Sequence, residues 1–358
     1  YHQLLQMDIE IAGMDMLRHF RFSSHIPVTA MKLISEDEHL LLFEMELLFG
    51  KEKVPLNELQ RMLLAGQKAI LLKDGALGIL GEEWLREYAS IVKHGKIKGN
   101  TIEVLRWMAV AKQDTATETP ELKLAIQNSW WHNWKQWQTN AGELYALPTT
   151  IHATLRPYQQ KGYEWMRLLN EIGAGACLAD DMGLGKTLQA ICAIVHISEK
   201  HPASKHIIIC PASLVYNWQQ ELERFAPGIA TVVYHGALRQ KEQLTDPKGK
   251  IIITTYHTMR NDAELICGQV YGVAVIDESH NIKNPATQIA QAVIKLRAVF
   301  RVALSGTPVV NNTFDLYTQL NFAVPGLFGS REFFKREYAD PIDNKQDEEK
   351  IATLKKLT

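Results

Sequence analysis

Two short stretches of this chain hold residue types that do little for packing and much for chemistry. The first is Asp180-Asp181-Met182-Gly183-Leu184-Gly185-Lys186-Thr187. Gly183 and Gly185 let the backbone turn tightly, so that successive amide N–H groups converge on an anion. Lys186 would neutralise the β- and γ-phosphates of a nucleotide, and the Thr187 hydroxyl would be offered to Mg2+. The apolar run Leu188–Ile197 reads as a helix whose positive dipole end faces the same anion. Strict GxxxxGK[ST] spacing wants glycine where this chain has Asp180. The second stretch is Asp277-Glu278-Ser279-His280. Adjacent carboxylates behind an apolar run are poor packing residues, because burying them unpaired costs several kcal/mol. Beside a metal they make sense: Asp277 holds Mg2+ through water, and Glu278 orients and deprotonates an attacking water.

Such groups need rigid elements to aim them. From Thr154 onward, short apolar runs alternate with amphipathic stretches: Ala176–Ala179, Ile207–Cys210, Thr231–Tyr234, Ile251–Thr254, Val273–Ile276 and Arg301–Leu304. This rhythm predicts an α/β unit, a parallel sheet covered by helices on both faces. Ligands of open α/β sheets bind beyond the carboxyl ends of the strands. Both chemical stretches sit at such ends, which a chance GKT or a solvated acidic loop has no reason to do.

Residues 1–145 read differently, as a smaller α+β region. His39–Phe49 predicts a strand, and Pro55 opens a helix through Leu64 with Gly66 placed to stop it. Ala69–Leu72 and Ala76–Leu80 flank Asp74-Gly75 as a hairpin. Asn100-Thr101-Ile102-Glu103 has the form of a capping box, with Leu105, Met108 and Ala109 following at helical spacing. Gln113–Pro120 is polar and Thr-rich, as in a linker. Then come Trp130, Trp131, Trp134 and Trp137 with His132 and Lys135 between them. Aromatic and basic residues interleaved can stack bases; at helical spacing the simpler expectation is packing of one face against a neighbouring domain.

Composition narrows the classes. Of 358 residues, 46% are hydrophobic and 22% charged, the balance of a globular protein, and the net charge of −1 supplies no bulk attraction for nucleic acid. Any DNA grip must therefore be local. Cys177, Cys192, Cys210 and Cys267 form no CxxC pair, which predicts reduced, packed thiols rather than zinc or redox chemistry. No apolar run approaches the roughly 20 residues that cross a bilayer. A chain that opens at Tyr1 and ends in a charged, helix-like run reads as part of something longer.

In order, Leu155-Arg156-Pro157-Tyr158-Gln159, Asp180–Thr187, Asp277–His280 and Leu304-Ser305-Gly306-Thr307-Pro308 resemble the motifs of superfamily-two helicase-like ATPases. The stretches Cys210–Trp218, Thr254-Thr255-Tyr256, Ile282-Lys283-Asn284, Ser305–Asn312 and Pro325–Gly329 are similar to the Swi/Snf type in particular. The resemblance covers roughly residues 150 to 345. It implies that 146–358 are a RecA-like P-loop NTPase lobe, the first lobe of a motor that uses ATP and Mg2+ to translocate on double-stranded DNA and remodel the protein–DNA complexes it meets. It implies that Gln159, with Arg156 beside it, reads adenine, and that Gly183, Gly185, Lys186 and Thr187 form the phosphate loop. It implies that Asp277 and Glu278 are the magnesium and catalytic-base positions. His280, Ser305 and Thr307 couple ATP state to DNA grip, and Ser213, Thr254 and Thr255 touch the DNA backbone, on the same ground. A protein target on DNA, a cytoplasmic, nucleoid-associated location and the absence of a membrane go with that family. Asp181 replaces its usual glutamate, and Ser279 stands where glycine or alanine is commoner. The second lobe, with its arginine finger, is not in this chain, which predicts slow hydrolysis by the chain alone. Residues before the motor loosely resemble the accessory segment of some bacterial members. Two other readings stay open: a strand-separating DNA or RNA helicase, and an ATP-dependent clamp or scaffold.

Overall fold

The computed structural model describes residues 21–36, 40–105, 129–139, 144–246, 249–306, 313–328 and 331–357. The chain divides into two compact units, Tyr1–Ala125 and Ile126–Thr358.

The first unit runs β1 (Arg21–Phe22), β2 (Pro27–Glu36), β3 (Leu40–Phe49), β4 (Glu52–Val54), α1 (Leu56–Leu64), β5 (Ala69–Leu71), β6 (Ala76–Ile79), α2 (Glu82–His94), β7 (Lys96–Lys98) and β8 (Thr101–Leu105). An antiparallel sheet of order β2-β3-β8-β7, with β4 beside β3, lies in the same unit as a small sheet of order β1-β6-β5. Strand β3 is apolar almost throughout, yet it buries alternate residues, Leu41, Phe43, Met45, Leu47 and Phe49, as the two-residue period of a strand requires. The expected hairpin is present: Gly75 takes φ +78°, and the Asp74 carboxylate accepts a hydrogen bond from the Ala76 amide at 2.9 Å.

The expected helix at Asn100–Leu105 is not there. Thr101–Leu105 is a strand, pairing Phe43 with Ile102 and Leu40 with Leu105. Ile102 and Val104, two apart, are both buried against that pairing, and tertiary burial outweighs the local capping signal. Met108, Ala109 and the Gln113–Pro120 linker lie outside the described residues.

The second unit runs α3 (Ser129–Gln138), α4 (Pro157–Glu171), β9 (Ala176–Leu178), α5 (Lys186–Lys200), β10 (His206–Cys210), α6 (Val215–Phe225), β11 (Thr231–Tyr234), β12 (Ile251–Thr255), α7 (Tyr256–Asn261), β13 (Val270–Ile276), α8 (Gln288–Ile294), β14 (Arg297–Leu304) and α9 (Thr313–Ala323), with shorter helical turns between and after. All six strands pair parallel, in the order β11-β12-β10-β13-β14-β9. Both faces are covered. Ile208, Cys210 and Val275 join one apolar cluster with Ile191, Ile194 and Trp218, while their strand neighbours Ile207, Ile209 and Ala274 join another with Met259 and Val293. Each predicted apolar run of this region is a strand of that sheet.

The tryptophan helix falls in this second unit, because the division at Ala125/Ile126 precedes it, whereas the composition changes near residue 145. Trp137 donates from Nε1 to the Lys161 carbonyl of α4 at 3.1 Å and stacks on Trp134 with ring centroids 5.1 Å apart. The Lys161 ammonium returns a hydrogen bond to the Trp137 carbonyl. Trp137 is thus a packing residue against α4 within its own unit. Cys192 and Cys210 are buried, and burial pushes both thiols up to about 12. Among the described residues, no helix is long and apolar enough to cross a membrane.

Candidate nucleotide site

Strands β9 and β13 both flank β14. At about 4.8 Å per strand, the turns that follow them stand about 10 Å apart, with the end of β14 between. The turn after β9 is the glycine-rich one. Gly183 and Gly185 take φ +82° and +78°, and Gly185 is the residue immediately before α5. A side chain at Gly185 would be strained by its φ and would also collide with the Gln159 amide. Lys186 opens the helix and folds back over the turn, donating from Nζ to the carbonyls of Asp180 at 2.6 Å and Asp181 at 2.9 Å. The Asp180 carboxylate accepts from Gln189 Nε2 at 3.1 Å, one helical turn further along α5, which gives this non-glycine position a holding role. Thr187 is half-buried beside Lys186.

Gln159 is the third residue of α4, and both ends of its amide are engaged. Oε1 accepts from the Arg156 amide at 2.9 Å, closing the start of the helix, and Nε2 donates to the Leu184 carbonyl at 3.1 Å. It therefore ties α4 to the glycine-rich turn, while the Arg156 side chain is exposed beside it.

The turn after β13 is held from several sides. Asp277 Oδ2 accepts from the Trp218 indole at 2.9 Å, Oδ1 accepts from the Glu278 amide at 2.8 Å, and the Asp277 carbonyl accepts from the Tyr256 hydroxyl at 2.6 Å. Burial raises the Asp277 carboxyl above the usual range; the indole and amide hydrogen bonds, and the nearby Lys186 ammonium, pull it back. Glu278 sits in the left-handed region, φ 50° and ψ 55°, a conformation that costs a side-chain-bearing residue about 1–3 kcal/mol. Its carbonyl is held by the Asn281 amide at 3.0 Å and side chain at 2.8 Å. Its Oε2 lies 3.2 Å from His280 Nδ1, and both atoms are buried without a well-angled hydrogen bond. Ser279 donates to Gln319 Oε1 of α9 at 2.6 Å, and both residues are wholly buried.

The structure brings together most of the residues that the sequence singled out. Lys186, Asp277, Glu278 and His280 gather at the ends of β9 and β13, and Ser305 lies buried at the end of β14, its amide donating to the Leu178 carbonyl at 3.1 Å. Thr307 lies outside the described residues. Ser213 is exposed in the short turn Ala212–Leu214 at the end of β10. Thr254 and Thr255 are different: they are 0% and 2% exposed, so the expectation that their hydroxyls face a DNA backbone does not hold. The Thr254 hydroxyl donates to the Tyr234 carbonyl at 2.8 Å, and the Thr255 hydroxyl accepts from the Thr258 amide at 3.2 Å as the N-cap of α7. Hydroxyls in a strand buried on both faces satisfy backbone groups first. Trp218, Tyr256, Gln189 and Gln319 are the supporting residues that the sequence reading gave no role.

A glycine-rich turn entering a helix, opposite an acidic turn two strands away in a parallel sheet, defines a nucleoside-triphosphate-binding α/β lobe of the P-loop kind. The model of the SNF2-related domain matches residues 158–358, and the chain belongs to that family. It is 38% identical over 217 residues to the putative ATP-dependent helicase/translocase YwqA of Bacillus subtilis, covering 60% of this chain and 24% of that protein. It is 39% identical over 214 residues to the TATA-binding protein-associated factor MOT1 of Saccharomyces cerevisiae, covering 55% and 11%. Among solved structures, the Sulfolobus solfataricus SWI2/SNF2 ATPase core in complex with dsDNA superposes with a TM-score of 0.55 at 40% identity, covering 60% of this chain and 45% of that one. The lobe is RecA-like, as the resemblance implied. The chain spans less than half the length of these relatives.

Proposed function

We propose that this chain supplies the ATP-binding lobe of a DNA-dependent ATPase that translocates on double-stranded DNA and remodels protein–DNA complexes. The observation that carries it is the facing pair of turns, Lys186 on one and Asp277–Glu278 on the other, close enough for the ammonium to stabilise the Asp277 carboxylate. The donor set fits Mg·ATP: two positive-φ glycines shape an amide cradle, Lys186 rests on carbonyls that a phosphate can replace, and Glu278 Oε2 is buried without a hydrogen-bond partner. Mg2+ would neutralise charge on the phosphate oxygens.

In this reading Gly183, Gly185, Lys186 and Thr187 bind the phosphates, with Thr187 and Asp277 toward the metal. Glu278 takes a proton from the attacking water, and its left-handed backbone aims the carboxylate for that task. His280 lies against the same carboxylate and, with Ser305 and Thr307, relays its state toward the DNA side. Gln159 and Arg156 face the base. Ser213 touches the DNA backbone in a way that does not read sequence, while Thr254 and Thr255 buttress the loops beside it. By analogy with the name of the MOT1 relative, a protein bound to DNA is the motor's target. A bacterial cytoplasmic, nucleoid-associated setting follows from that substrate.

The test is phosphate release by the full-length protein at one fixed salt concentration, since backbone-driven binding falls steeply with salt. Duplex DNA should stimulate best. Stronger stimulation by single strands or RNA makes it a strand-separating helicase, and tight ATP binding without turnover makes it a clamp.

A further inference from the structure

Trp218 is one of the largest fully buried side chains in the molecule, and its indole N–H ends on a carboxylate. Packing alone does not explain that choice. A phenylalanine would fill most of the apolar space bounded by Ile208, Cys210, Val215 and Leu222, leaving a small void. What phenylalanine lacks is the donor, and the donor meets Asp277 Oδ2 at 2.9 Å. The Glu278 amide holds Oδ1 at 2.8 Å, so the two bonds together fix the plane of the carboxylate.

The chemical type of this donor matters. An indole donates and cannot accept, and it carries no charge. A lysine or arginine in its place would orient Asp277 equally well but would cancel the negative charge that a cation needs. The indole also brings its own apolar wall, which keeps competing water from the rear of the carboxylate. Each carboxylate oxygen has a second lone pair left for the phosphate side.

We infer that Trp218 is a positioning residue for the metal-facing carboxylate of Asp277, fixing its orientation for Mg2+ while leaving its charge intact. This rests on the reading of Asp277 as the residue that faces Mg·nucleotide. Trp218 also lies on α6, the helix that follows the exposed turn carrying Ser213, so one short element joins that surface to the nucleotide site.

The experiment measures ADP affinity of the full-length protein by calorimetry, once with Mg2+ and once with EDTA. In Trp218→Phe the affinity in EDTA equals the parent's, and the gain conferred by Mg2+ shrinks about tenfold, the loss of one hydrogen bond to a charged group. Asp277→Asn removes that gain, and adding Trp218→Phe to it changes nothing further. A parent-like Mg2+ gain in a Trp218→Phe protein that melts like the parent overturns the proposal. So does an undiminished effect of Trp218→Phe in the Asp277→Asn background. Where the phenylalanine variant does not fold, 15N-labelled tryptophan decides. An indole signal that moves with Mg2+·ADP, stays put with ADP in EDTA and does not move in Asp277→Asn supports the assignment; no such signal overturns it. A parent with no Mg2+-dependent gain overturns the nucleotide-site reading itself, and the proposal with it.

Discussion

The two turns of the nucleotide site are built on opposite plans. The glycine-rich turn is tied mostly to itself and its helix, with one outside bond from Gln159 of α4: Lys186 bonds the carbonyls of Asp180 and Asp181, and Asp180 is held by Gln189. The acidic turn is tied to the rest of the lobe through Trp218 of α6, Tyr256 of α7 and Gln319 of α9. A ligand entering the first must exchange internal hydrogen bonds for its own. A ligand entering the second meets groups already aimed, with the cost met during folding. On the proposed reading, phosphate binding falls to the first turn and the metal and attacking water to the second, because catalysis rewards preorganisation most.

Changing chemistry without changing binding is the strongest way to test that division. Glu278→Gln should lower turnover about 10²- to 10⁴-fold, the worth of a positioned general base, with ATP affinity kept. Equal losses in both would merge the two roles. Single-turnover phosphate release beside equilibrium ATP binding reads the two separately.

His206 bridges the two plans. Its Nδ1 accepts from the Val273 amide of β13 at 3.1 Å, so Nε2 carries the proton and donates to Ser198 of α5, 2.7 Å away. Burial, helped by the Lys250 ammonium, lowers this imidazole to about 4. Because the folded value lies below the unfolded one, its contribution is present above pH ~6.5 and is lost as pH falls toward 4, on the order of 3 kcal/mol. Half-buried His196 is lowered in the same direction, so the difference between the parent and His206→Gln in urea titrations across pH 7 to 4 isolates the bridge.

Lys186→Ala tests the self-tied turn. Affinity for Mg·ATP should fall about ten- to hundredfold, the range for hydrogen bonds to charged groups, while the melting temperature changes little. A large loss of stability instead would mean that the lysine mainly holds the loop. The smallest effect is expected at the rear of the acidic turn. Gln319→Leu leaves the buried Ser279 hydroxyl without its acceptor and should cost about 1–3 kcal/mol in urea unfolding. The double variant Ser279→Ala/Gln319→Leu should recover most of it, since both partners are then apolar.

The same contrast explains what the sequence could and could not disclose. The glycine-rich turn is a local object, and its spacing announced it, because φ > 0 and a helix start are written in consecutive residues. The strand positions followed from runs of isoleucine and valine. What stayed hidden was long-range. Nothing in the local pattern around Ser279 indicates Gln319, forty positions away, and nothing marks Trp218 as the partner of Asp277. Thr254 and Thr255 misled because hydroxyls in a motif look available until burial on both sheet faces is known. The segment at Asn100 misled for a related reason: a capping signal is local, whereas pairing with β3 is not.

The short edge strand β9 has a consequence for how the protein comes into being. Among the described residues it pairs only with β14, more than a hundred positions later: Ala176 with Val302 and Leu178 with Leu304. Parallel pairings of such separation form slowly, since loop closure precedes any gain from the contact. On the ribosome, the glycine-rich turn is therefore synthesised early but stays without its neighbouring wall until β14 emerges. On the proposed reading of the site, nucleotide capture is then a late event in the maturation of this lobe, because the glycine-rich turn gains its neighbouring wall only when β14 has been made.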